Sequence, residues 1–162
     1  MLECPLRVTN LYSTLVLAMR EMRAAHGRNA STGEGEGTDS WLGLVLGMIV
    51  LDPLSGNSTQ VKRRWVDFLT AHQVPEHDAK ILYATRNAVL HGYGLPAPEK
   101  AEQCRVLLTG DTSAYAVDTD TKGLAVISVP VFCSRLVERI AGAVPDDWDI
   151  SEINTALPDP RP

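Results

Sequence analysis

The chain has 162 residues, 44% of them hydrophobic and 22% charged, which is the size and balance of one folded domain with a sizeable core and excludes wholesale disorder. Residues 1–90 hold 9 Lys/Arg and 9 Asp/Glu, while 91–162 hold 6 and 11, so the net charge of −5 resides in the second part. Such an acidic balance excludes broad, sequence-blind adhesion to nucleic acid and leaves a focused local site open.

Along the chain, Leu11, Leu15, Ala18, Met22 and Ala25 recur at helical spacing with no internal proline or glycine, which predicts a helix over 6–25 with one buried face. The stretch 27–38 is rich in Gly, Glu and Ser and reads as a flexible surface loop. Its alternating glycines do not make a phosphate cradle, because no strand precedes them and Glu34 and Glu36 would repel the anion. Asp39 or Ser40 then caps a helix over 41–51 that is apolar nearly all round, in which Gly43 and Gly47 would admit a close neighbour. That apolar run is far short of the roughly 18 to 20 residues that cross a bilayer. Near the start of the chain Glu3 stands where a signal peptide wants a base, so the expected setting is cytoplasmic, without membrane contact.

Asp52-Pro53 is expected to end the second helix, and Ser58 or Thr59 to start a third with Val61, Trp65, Phe68 and Leu69 inward and Lys62, Arg63 and Arg64 on the wet side. Pro75, with Glu76 and Asp78 in the following turn, opens a fourth helix that runs to His91 and stops at Gly92, with Gly94 and Pro96 beyond. Three short β-prone runs, 104–109, 115–118 and 124–128, separated by Gly110-Asp111 and Thr121-Lys122-Gly123, predict a small antiparallel insertion at about 104–128. Pro130 begins a last helix to about Ala143 with Cys133, Leu136, Val137 and Ile140 on one face. The tail 145–162, with prolines at 158, 160 and 162, is expected to fray, with Trp148 available to dock. Three cysteines, Cys4, Cys104 and Cys133, are an odd number at wide spacing, which suits free thiols better than a disulfide framework or a metal site. His72 and His77 flank Pro75 without metal-ligand spacing, and no cofactor motif is present.

The chemistry concentrates on the fourth helix. At 100° per residue, Ile81, Leu82, Thr85, Ala88 and Val89 form its core stripe, and Lys80, Tyr83, Arg86, Asn87 and His91 share the opposite face. Asn87 and His91 stand one turn apart, so the amide reaches the imidazole or a group bound to it. His91 lies at the helix C-terminus, where the macrodipole favours imidazolium. An Arg for phosphate charge, a His to move a proton and an Asn to orient either one suffice to cleave a phosphodiester without metal.

The run Arg86-Asn87-Ala88-Val89-Leu90-His91, with Leu82-Tyr83 before it and Gly92 after, resembles the R-x4-H signature of the HEPN superfamily, with Asn in the favoured polar place. The resemblance covers roughly 6–94 and implies a single, mainly α-helical HEPN-like bundle, here with the β insertion before its last helix. It further implies a metal-independent endoribonuclease, of a toxin or defence kind, whose site is assembled across a homodimer of fourth helices. Arg86 would then hold the scissile phosphate, His91 would act on the 2′-hydroxyl or the leaving oxygen, Asn87 would orient them, and Lys80 and Tyr83 would contact the RNA. The same resemblance admits a non-catalytic binding or scaffold module, or the partner subunit of a nucleotidyltransferase, and an antitoxin as partner. Arg20 and His26 also fit the spacing, but Glu21 would repel phosphate, and this pair is set aside.

In a purely structural role, His91 would cap its helix and Arg86 would pair with an acid such as Asp67 or Glu138. The two roles part on geometry. A catalytic site needs Arg86 and His91 reachable in a positive groove, whereas a scaffold buries them or pairs them with acids.

Overall fold

In a computed structural model of the chain, the described residues are 10–26, 41–56, 58–92, 94–112 and 115–143, with the side chains of the first helix described from Leu17 to Ala25. Helices α1 (Asn10–His26), α2 (Trp41–Leu54), α3 (Val61–Ala71) and α4 (Glu76–His91) come first. A 3-10 turn (Pro98–Lys100) leads into strands β1 (Arg105–Thr109), β2 (Val117–Thr119) and β3 (Leu124–Ser128), and the last helix among the described residues, α5, spans 129–143. The expected loop at 27–38, the caps Asp39 and Ser40, the tail 145–162 with Trp148, and Cys4 lie outside the described residues.

The molecule is mainly helical, and its apolar second helix lies at the centre. In α2, Gly43, Leu44, Gly47, Met48, Val50 and Leu51 are all buried, and the helix packs against α1, α4 and α5. A helix with no polar stripe has nowhere to go but inside. From α1 come Ala18 and Met22, buried as their spacing implies, and Met19, which lies outside the expected stripe, while Ala25 is only half-buried. Helices α3 and α4 contribute Trp65, Val66, Leu69, Ile81, Leu82 and Val89 to one continuous core that also takes in the sheet.

Contrary to expectation, Asp52-Pro53 does not end α2, which continues through Leu54. Proline removes one N–H and one hydrogen bond, a loss most easily borne in a last turn that is about to unwind. Ser55 N–H donates to the Leu51 carbonyl at 3.0 Å, the Ser55 hydroxyl donates to the Asp52 carbonyl at 2.6 Å, and Gly56 turns the chain at φ +96°. Asp52 is therefore carried on the helix rather than in a loop. Helix α3 starts at Val61, with Gln60 at its N-cap position, and Ser58 Oγ accepts from the Gln60 N–H at 3.3 Å.

The sheet also corrects the expectation. Its order is β1-β3-β2; β3 pairs antiparallel with β2 but parallel with β1, so the insertion is mixed, not an antiparallel meander. β2 lies beyond the position that β3 will fill, and β3 then enters between its two neighbours. The turn into β3 is built by Asp120, whose Oδ1 accepts from the N–H groups of Lys122 and Leu124, both at 2.8 Å, with Gly123 at φ +80°. Val106, Ala125, Ile127 and Val117 alternate along the strands onto the inner face and join the core.

Strand β3 runs directly into α5. Ser128 is buried, its Oγ accepts from the Val131 N–H and its hydroxyl donates to the Asp111 carbonyl. Within α5 the segment Phe132–Val137 is π-wound. The wider turn keeps two adjacent pairs, Phe132/Cys133 and Leu136/Val137, on the core face, which a regular α-helix does less well. Phe132 lies over Gly47 so closely that a Cβ there would stand 2.6 Å from Phe132 Cε1, and the Cys133 thiol donates to the Gly43 carbonyl at 3.3 Å. Gly47 thus admits a neighbouring helix, α5, and Gly43 meets that helix through its carbonyl.

Two outcomes follow from this packing. Gly47→Val drives a branched side chain into the ring of Phe132 and should lower stability by roughly 1–3 kcal/mol, read from the urea midpoint; an unchanged midpoint would refute the close approach. Burial, with Glu138 adding to it, pushes the Cys133 thiol up to about 12. Iodoacetamide at pH 8 should leave Cys133 unmodified in the native protein and alkylate it in urea, as mapped by mass spectrometry.

Candidate functional site

Helix α4 begins as the sequence implies, with Pro75 at its N-cap and Glu76 and Asp78 in its first turn, and ends at His91 with Gly92 as C-cap. Ile81, Leu82, Thr85 and Val89 are buried, with Ala79 and Ala84 beside them, while Ala88 is only half-buried. The Thr85 hydroxyl satisfies itself within the helix by donating to the Ile81 carbonyl at 2.8 Å. The Gly92 N–H closes the last turn on the Ala88 carbonyl at 2.8 Å. Of the opposite face, His91 is in the open, whereas Tyr83 is half-buried and packs against the core.

Tyr83, Asn87 and His91 lie along one wall of a groove of about 670 Å³ between the C-terminal half of α4, the start of α3 and the segment 95–102. His91 is exposed and Asn87 half-buried. Lys62 and Lys100 supply positive charge to the groove, and Glu99 and Glu102 supply an equal number of acids. With Ala84, Ala88, Leu95, Pro96 and Ala97 also in its lining, the groove is largely apolar and mixed in charge rather than strongly positive. Lys80 does not join it; it pairs with Glu76 at 2.8 Å and lines a neighbouring groove of about 530 Å³ that shares Lys62. That pair holds the Glu76 carboxyl below and the Lys80 ammonium above their ordinary values, chiefly through the hydrogen bond between them.

Arg86 occupies the flank of the face, and its side chain is only 12% exposed. Its Nη2 donates to Asp52 Oδ1 at 3.0 Å, its Nη1 donates to Asn87 Oδ1 at 2.8 Å, and its Cζ lies 5.9 Å from the centre of the Trp65 ring. The same Asp52 oxygen accepts from Arg64 Nη2 at 3.1 Å and from Trp65 Nε1 at 2.7 Å. Arg64 also donates to the Ser58 carbonyl at 3.1 Å. One carboxylate oxygen at the end of α2 therefore ties α3 and α4 together. Arg64 is not on the wet side as expected: its long arm turns back to Asp52, and only Lys62 and Arg63 of that basic run are exposed.

The acid that holds Arg86 is neither of those named from the sequence. Asp67 pairs with Arg63 at 3.5 Å on its own helix, and Glu138 pairs with Arg23 at 2.9 Å. Asp52 was hidden from sequence reasoning by its place beside Pro53, where it resembled a helix stop. Among the described residues no three His, Cys, Asp or Glu side chains cluster as a metal ion requires. His77 Nε2 stands 4.0 Å from the buried Cys104 sulfur, and His72 packs edge-on against Phe68. No helix among the described residues is long and apolar enough to cross a membrane.

Comparison with protein-family models, with curated proteins and with solved structures returns no match for this chain. Asp52→Ala would strand two guanidinium groups and the Trp65 N–H, and should lower stability by roughly 3 kcal/mol in chemical denaturation. A loss below about 1 kcal/mol would show the hub to be as weak as a surface ion pair.

Proposed function

We propose that the groove beside α4 is the working site of a HEPN-type, metal-independent endoribonuclease acting in the cytoplasm as a homodimer, its two fourth helices set against each other. The observation that carries this reading is the pairing of Asn87 and His91, one turn apart in a single groove with Lys62 and Lys100, at the end of the helix that bears the R-x4-H run. The lysines would attract the RNA backbone, and the face of Tyr83 would stack on a base.

In this reading His91 takes the proton of the 2′-hydroxyl as that oxygen bonds to phosphorus. The bond from phosphorus to the 5′-oxygen breaks, and the leaving oxygen receives a proton from a second imidazole, supplied by the other copy across the dimer. The products are a 2′,3′-cyclic phosphate and a free 5′-hydroxyl. One chain offers a single His91 and a groove with no net charge from its Lys and Glu side chains, so a second copy is needed to complete the proton transfers. A toxin or defence role with an antitoxin partner belongs to this reading.

A second reading has a specific observation in its favour. Arg86 is largely buried and bound to Asp52, as a binding or scaffold module would have it, or as the partner subunit of a nucleotidyltransferase would. Cleavage separates the two. In EDTA the wild type should cut a mixed RNA pool to 2′,3′-cyclic ends, and His91→Ala should lower the rate at least ~100-fold. Binding without cleavage by the wild type would favour the module, and a strict need for magnesium would refute the metal-free reading. If the fourth helices meet, Leu90→Arg should lower the mass in solution while keeping the helical circular-dichroism signal; an unchanged dimer would refute that contact.

A further inference from the structure

From the hydrogen-bond chain Asp52–Arg86–Asn87 we propose that Asp52 is a positioning residue of the groove, and that the donor presented to a bound phosphate is the amide of Asn87, not the guanidinium of Arg86. The inference rests on the reading of the groove as a phosphate-binding site.

Both terminal nitrogens of Arg86 are engaged in the folded chain, while its Nε is buried without a hydrogen-bond partner among the described residues. One end of its fork donates to Asp52 and the other to the amide oxygen of Asn87, and Trp65 lies beneath it. Arginine has donors and no acceptor, so the atom of Asn87 that faces it must be the oxygen. The amide nitrogen of Asn87 is thereby turned away from Arg86, on a side chain that lines the groove. An asparagine on an open helix surface samples both amide orientations; here a charged donor at 2.8 Å selects one.

The selection depends on Asp52. Without its carboxylate, a largely buried guanidinium would lose its counter-charge and seek water, and Asn87 would lose its fixed partner. Arg64 and Trp65 hold the same Asp52 oxygen from the side of α3, so the acid itself is kept in place. The order runs from core to groove: α3 fixes Asp52, Asp52 fixes Arg86, Arg86 fixes Asn87. An opposite role for the same contact is a latch, in which Asp52 withholds Arg86 from the ligand. The two differ in sign, since removing the charge of a latch strengthens binding and removing that of a positioner weakens it.

The experiment uses the full chain carrying His91→Ala, so that nothing is cut, with 15N labelling and a 2′-O-methyl oligouridylate as the probe. The side-chain amide signals of Asn87 are assigned from their loss in Asn87→Asp. In the free protein, Asp52→Asn and Arg86→Lys should both move those signals, because a lysine ammonium cannot span Asp52 and Asn87 together; Lys122→Gln on the β2–β3 turn should not. In the titration, the Asn87 amide should shift on binding, and Asp52→Asn should weaken binding roughly tenfold, the scale of one hydrogen bond to a charged group. In an Asn87→Ala background the further loss from Asp52→Asn should vanish, which a general destabilisation would not produce.

Tighter binding by Asp52→Asn would establish the latch and overturn the proposal. So would Asn87 signals that ignore both Asp52→Asn and Arg86→Lys. Arg86→Lys keeps the charge, so it still reports if Asp52→Asn fails to fold. If the probe shifts no signal in the parent chain, the groove reading fails, and with it the phosphate role of Asn87. Movement of the free-protein signals would then show that Asp52 still governs that side chain.

Discussion

A carboxylate at the carbonyl end of an apolar helix is in an unfavourable place, since the partial negative charge of the helix terminus adds to its own. Asp52 tolerates that position because two guanidinium groups and an indole N–H converge on one of its oxygens. The arrangement is reciprocal: Arg64 and Arg86, each only 12% exposed, could not be so deeply placed without it. The three helices that meet there are the ones that form the groove wall and its foundation. The Nε atoms of both arginines are buried without a hydrogen-bond partner among the described residues, so the shared carboxylate carries most of their compensation.

The rest of the packing delivers α2 to that point. Gly47 lets α5 close on one side, where Phe132 fills the space a side chain would need. The π-wound turn lets α5 present two adjacent pairs to the same surface. With α2 gripped on several sides, its last turn survives Pro53 and holds Asp52 in register with α3 and α4. Core packing thus determines which acid Arg86 finds.

The sequence made the helices legible and the partnerships obscure, for one physical reason. Helical periodicity is local, so the inward residues of α3, α4 and α5 and the shared face of Tyr83, Asn87 and His91 could be read from spacing alone. Pairing is not local. Thirty-four positions separate Asp52 from Arg86, and the two acids named from the sequence, Asp67 and Glu138, serve other arginines. Arg64 was misread because a run of three bases usually marks a wet face, whereas its angular position beside Val61 and Phe68 puts it at the edge of the buried stripe. The sheet failed likewise: three short runs with turn residues between them spell strands but not which strand lies in the middle. The π-turn left no mark on the sequence that periodicity detects.

That middle strand has a consequence for how the chain comes to be folded. β1 and β2 are synthesised first, yet neither is hydrogen-bonded to the other; both take their partner from β3. As the chain leaves the ribosome, two strand edges must wait, unpaired, until Ser128 has emerged. The residue that completes the sheet also caps α5, so one short stretch of late chain closes the sheet and nucleates the final helix together. A chain cut just before β3 would lose the whole sheet rather than one strand of it, and with it the helix that fills the space over Gly47.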